Sequence, residues 1–110
     1  MTGKNLILRV DGGNETFQKT FAKLKPQQKK EATIAFGLLF MLDTDMAPSK
    51  LHFHPLKDFM VPSVMDPKKK VKVYTIHITS DDTYKASFTL EDGTAYLRAC
   101  GTHDGIDKSP

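Results

Sequence analysis

From Asn5 to Val10 the chain reads Asn-Leu-Ile-Leu-Arg-Val, a short apolar run with β-branched residues that predicts a first strand. Asp11-Gly12-Gly13-Asn14 ends it, and Asn14 is placed to cap a helix. Phe17, Phe21 and Leu24 then recur at i, i+4 and i+7, the stripe of an amphipathic helix. Pro26 breaks that helix and suits the first turn of a second. There Ala35, Leu38, Leu39 and Leu42 repeat the helical spacing, with Lys29, Lys30 and Glu31 at the wet beginning. The two helices form a hairpin, and residues 43–50 are its exit loop.

From Leu51 the period changes from helical to alternating. Leu51 and Phe53 fall on one side of an extended segment, His52 and His54 on the other. Residues 71–79 and 83–90 read as strands joined by a turn at Ser80, Asp81 and Asp82. A second turn at Asp92 and Gly93 leads into a last strand, residues 95–100. The order is strand, helix, helix, antiparallel meander: one α+β domain over residues 1–110, with the helices packed on one face of the sheet.

Alternation also sorts the faces. Tyr84, Ala86, Phe88 and Leu90 form the apolar side of one strand, so Lys85, Ser87 and Thr89 look away. Tyr74, Ile76 and Ile78 read as buried, which turns Thr75 and His77 outward. In the last strand Ala95, Leu97 and Ala99 point inward, leaving Tyr96, Arg98 and Cys100 outside. The expectation is an open face that gathers His77, Lys85, Tyr96 and Arg98, joined by His52, His54 and His103: cationic and rich in imidazole.

Composition adds limits. The chain has 110 residues, enough for one domain with a core of its own. A single cysteine, Cys100, excludes an internal disulfide and suits a reducing compartment. No apolar run approaches the roughly 20 residues that span a bilayer, and the N-terminal stretch lacks a secretory pattern, so a soluble, cytoplasmic protein is expected. Sixteen Lys+Arg against 13 Asp+Glu give a net charge of +3, whose placement matters more than its size. Lys68, Lys69, Lys70 and Lys72 stand together, either as a solvated loop or as a phosphate-contacting patch.

A basic, histidine-rich face can bind an anionic polymer or cleave one. RNA cleavage needs neither metal nor cofactor: the 2′-hydroxyl attacks the adjacent phosphate, and the enzyme supplies a base, an acid and a cation. Histidine suits the first two tasks, and lysine or arginine the third. A zinc site from His52, His54, Cys100 and His103 is the competing use of the same residue types.

Three segments, Leu51–Phe59, Val73–Gly93 and Leu97–Ile106, resemble in order the RelE/ParE superfamily of toxins from bacterial toxin–antitoxin modules, and its YafQ-like branch of ribosome-dependent mRNA endonucleases in particular. The resemblance implies a RelE-like fold, metal-independent mRNA interferase activity without a cofactor, and a cognate antitoxin, the ribosome and mRNA as partners in a toxin–antitoxin hetero-oligomer. It matches His54 and Asp58 to acid–base work or phosphate positioning, Phe59 to base stacking, Lys85 to the neighbourhood of the scissile phosphate, and His103 to the proton donor for the leaving 5′-oxygen. His77 and Lys68, Lys69 and Lys70 complete the expected RNA contacts. The branch places an arginine four residues before the terminal histidine, where this chain has Ala99. Arg98, one step earlier, replaces it only if the strand is kinked or bulged there. The branch's C-terminal aromatic is also replaced, by Ile106 and Asp107. A ParE-type toxin that acts on gyrase, or a non-catalytic binding module, would share the fold without the imidazole requirement.

Overall fold

Helix α1 (Glu15–Ala22) starts where Asn14 caps it, the Asn14 side chain accepting the Phe17 N–H at 2.9 Å. Helix α2 (Pro26–Leu39) opens on Pro26, whose fixed φ fits a first turn and whose missing N–H is not needed there. The structure, a computed structural model, describes residues 6–40, 42–43, 51 and 53–110, and of residues 54, 57 and 58 the backbone alone.

The strands are β1 (Arg9–Asp11), β2 (His54–Pro62), β3 (Lys70–His77), β4 (Tyr84–Glu91) and β5 (Thr94–Thr102), and a short helix α3 (His103–Lys108) succeeds β5. They form one mixed sheet in the order β1-β5-β4-β3-β2, in which β1 runs parallel to β5 and the other pairs are antiparallel. Three helices and an open mixed sheet among the described residues make the fold α+β. No helix among the described residues is long and apolar enough to cross a membrane.

The first strand is displaced from its expected place. Only Arg9–Asp11 joins the ladder, while Leu6 forms an isolated bridge to Asp43 and the Leu8 amide donates to the Gly93 carbonyl at 2.7 Å. Its partner is the last strand in sequence, which local pattern does not reveal. The turn that Gly93 belongs to is a two-residue hairpin with φ of 50° at Asp92 and 78° at Gly93, left-handed values that asparagine, aspartate and glycine tolerate.

Both helices pack on one sheet face, as expected. Phe88, Ile76, Ala86 and Ala95 are fully buried there against Ala32, Ala35 and Leu39 of α2 and Phe17 of α1. Two aromatic groups fill the layer: Phe17 meets Phe36 edge-on at 5.6 Å, and Phe53 stacks on Tyr74 at 5.4 Å beside Phe88. Burying a side chain such as Phe88 stabilises the fold by roughly 2–3 kcal/mol.

The opposite face departs from expectation, because it is not bare. Val73, Thr75, Ser87, Thr89 and Ala99 are all buried on it. At one end the segment after β2 folds over it and is tied down by Glu91, whose carboxylate accepts from the Ser63 hydroxyl, the Thr89 hydroxyl and the Val64 and Met65 amides. At the other end α3 and the residues after it fold back, with Ile106 seated over Gly101 and the Pro110 carbonyl accepting from Ser87 Oγ at 2.9 Å.

Candidate functional site

The β5–α3 junction builds the site. Thr102 caps α3 by accepting the Gly105 amide at 3.1 Å, and a Cβ at Gly105 would come within 2.9 Å of that hydroxyl oxygen. The His103 amide donates to the Thr83 carbonyl at 2.9 Å, fixing the helix start against the β3–β4 turn. One helical turn sets His103 and Asp107 on the same side, with His103 Nδ1 at 3.2 Å from Asp107 Oδ2. The other oxygen of Asp107 takes Lys85 Nζ at 2.9 Å.

Across the sheet, His77 and Lys85 are register partners on β3 and β4, which puts both on this face. His77 Nδ1 lies 2.8 Å from Asp82 Oδ1. Asp82 reaches it from a left-handed position (φ 60°) in a turn shaped by Asp81, whose carboxylate accepts from Thr83 and Thr79 hydroxyls at 2.7 Å. Those bonds, Thr83 first, hold the Asp81 carboxyl below its usual range. The His77 and His103 rings then meet edge-to-face, with centroids 5.4 Å apart.

The result is two imidazoles, each with Nδ1 against a carboxylate. Such a bond fixes tautomer and orientation and directs proton exchange to Nε2. His77 is nearly enclosed, with 9% of its side chain exposed, whereas His103 is 44% exposed. Two acid–base groups of matched chemistry and different solvent access stand side by side.

The expected site residues divide accordingly. His77, Lys85 and His103 come together. Lys85 is not the accessible cation expected, since its side chain is 3% exposed and its charge is met by Asp107. The side chains of His54 and Asp58 lie outside the described residues, as does all of His52. By backbone register His54 pairs with Thr75, two positions before His77. The strand that carries them is irregular: five steps of β2, Pro55 to Met60, run against two of β3, Tyr74 to Lys72. Phe59 falls in that stretch and is half-buried.

Arg98 is the extra residue of a bulge. Ser87 pairs with Ala99 and Phe88 with Leu97, so Arg98 has no partner in the ladder. The bulge corrects the face assignment of the last strand. Ala99, not Cys100, lies on the α3 side, and Cys100 turns into the core against α1, its amide donating to Thr20 Oγ1 at 3.0 Å. Burial pushes the Cys100 thiol up to about 12. Cys100 and His103 thus stand on opposite faces, which removes the pairing that the zinc alternative requires. Arg98 itself reaches the residues after α3, Nε donating to the Pro110 carbonyl at 3.3 Å, at the far end of that helix from His103. Burial draws its guanidinium below the usual value.

Lys68, Lys69 and Lys70 are exposed, at the opposite end of β3 from His77. Seven residues of strand put them roughly 23 Å from the imidazole pair. Sequence reasoning placed His77 among RNA contacts and gave Asp82, a turn residue there, and Asp107 no role at the site. The signal for Asp107 was its i+4 spacing from His103, legible only once a helix there is known. No family model, curated protein or solved structure matches the chain.

Proposed function

We propose that this chain is a RelE-like toxin of the YafQ-like kind, a ribosome-dependent mRNA interferase that cleaves by metal-independent acid–base chemistry. The observation that carries the reading is the facing pair His77 and His103, each with Nδ1 against a carboxylate. The element order of strand, helix hairpin and meander, with the Gly101-Thr102-His103 segment at the site, supports it.

In this reading His77, the enclosed imidazole, takes the proton of the 2′-hydroxyl as its oxygen attacks the adjacent phosphorus. His103, the more exposed one, enters protonated and gives its proton to the departing 5′-oxygen. The products are a 2′,3′-cyclic phosphate and a free 5′-hydroxyl, and the two imidazoles have exchanged protonation states. The His103 imidazolium also meets the charge of the phosphorane, the task first expected of Lys85. Lys85 becomes a positioning residue: it holds Asp107, which orients His103. Arg98 supports the segment after α3. The remote lysines serve docking to ribosomal RNA, whose closely spaced phosphates attract such a run. A cognate antitoxin with an acidic, amphipathic segment would silence the site in a hetero-oligomer.

The test is induced expression with mapping of transcript ends. Codon-phased cuts bearing 2′,3′-cyclic phosphates, abolished in His77→Ala and His103→Ala, are expected. Supercoiling defects without cuts would replace the reading with a gyrase-directed, ParE-type one. Neither phenotype would leave a non-catalytic binding module.

A further inference from the structure

The imidazole pair has a neighbour that its chemistry does not use. Between α2 and the β3–β4 turn lies a groove of about 420 Å³, within the roughly 300–1,000 Å³ usual for small-molecule sites. Its walls are Ile34 and Leu38 from α2 with Leu51 and Ile78 opposite, and His77 and Asp82 close one side. Ile34 is 59% exposed and Leu38 36%, so apolar surface stands open beside the acid–base groups.

We propose that this groove is a base pocket that selects guanine next to the scissile phosphate. The proposal rests on the reading of the site as RNA-cleaving. Three observations define the occupant. The apolar walls favour a flat, weakly hydrated group, and aromatic stacking is one general means of gripping unpaired bases. Among the described residues that line the groove none is a lysine or arginine, which favours placing the phosphate on the imidazole side. The rim is acidic, carrying Glu31 and Asp82.

The carboxylates set the specificity. An ionised carboxylate only accepts hydrogen bonds, so its ligand must present donors. Guanine offers two side by side, N1–H and the N2 amino group, matching the two oxygens of one carboxylate. Adenine and cytosine place an acceptor nitrogen beside their amino group, and uracil flanks its single N–H with carbonyls. Glu31 is held in place through Oε1, which accepts the Ser80 amide at 3.1 Å. It therefore joins α2 to the turn that carries Asp82, and is the residue assigned to guanine recognition.

The experiment is an NMR titration of the isotope-labelled protein with 3′-GMP, 3′-AMP, 3′-CMP and 3′-UMP, following the Ile34 and Leu38 methyls and the His77 ring. The guanine nucleotide is expected to bind about tenfold or more tighter than the others, the discrimination typical of a good bidentate contact. Glu31→Gln keeps an acceptor for Ser80 but breaks the donor match, and should bring the four nucleotides within about twofold of one another. Ile34→Glu, at an exposed position that leaves the core intact, should weaken all four. Equal affinities in the unaltered protein, a preference that survives Glu31→Gln, or methyl signals that never move would overturn the pocket. The same protein with mRNA on translating ribosomes separates the two readings. Guanine-selective binding without cleavage keeps the pocket and removes the nuclease, whereas cleavage indifferent to guanine keeps the nuclease and removes the pocket.

Discussion

Asp107 serves two partners with its two oxygens, the Lys85 ammonium on one and the His103 imidazole on the other, and the consequences of removing each partner differ. Asp107→Asn leaves an ammonium buried without its counter-charge, and should cost roughly 2–3 kcal/mol, somewhat below a fully buried pair because Asp107 keeps a third of its surface. Lys85→Met removes the charge together with its need for a partner and should cost less than half as much. Urea midpoints at unchanged slope decide between them, and equal losses would show that the ion pair has no special weight. Under the proposed activity His103→Ala should lower cleavage by about 10²–10⁴-fold, the range for a general acid, with the thermal transition nearly unchanged because the side chain is 44% exposed. Full toxicity, or an unfolded variant, would end its assignment as the acid. At this scale the sequence was half legible. Alternation correctly put His77 and Lys85 on one face, but equated polar with exposed. Thr75, Ser87, Thr89 and Lys85 are polar and buried because distant segments cover them.

Elements were most legible where the signal is local. Asn14 caps α1, Pro26 opens α2, and Asp92-Gly93 turns the chain, each by chemistry confined to a few residues. Helix α3 was missed because six residues are too few for a helical period to register, and one of them is glycine. The Arg98 bulge was missed because it depends on register with β4, which no residue of β5 announces. Glu91 links strand to loop and carries a pH dependence. Burial alone would raise its carboxyl, but the bonds from Ser63, Val64, Thr89 and Met65 outweigh this and hold it below its usual value of 4.5. A depressed folded value means that the stabilisation is present at neutral pH and disappears as pH falls below about 4.5. Glu91→Gln should therefore be destabilised at pH 7, with its difference from the unaltered protein shrinking toward pH 3. A difference that stays constant across that range would show that the carboxylate charge contributes nothing.

For the molecule as a whole, the lysines and the imidazoles occupy opposite ends of β3, so docking and chemistry should separate by mutation. Replacing Lys68, Lys69 and Lys70 with Gln should weaken ribosome association and reduce its log–log salt slope by up to about 3, one unit for each phosphate no longer neutralised. Cleavage at saturating ribosome concentration should hardly change. An unchanged slope would return the run to a solvated loop.

The pairing of β1 with β5 also sets an order of events in time. The first strand finds its partner only in the last, and the Cys100 amide meets Thr20 across 80 positions of chain. Closing so long a loop is entropically costly, and sheets built on such distant pairings fold in milliseconds to seconds rather than microseconds. During synthesis β1 therefore waits for β5 to emerge. A nascent chain stalled before Thr94 has an unfinished sheet and no His103, and under the proposed activity every truncated product is harmless to the cell that makes it.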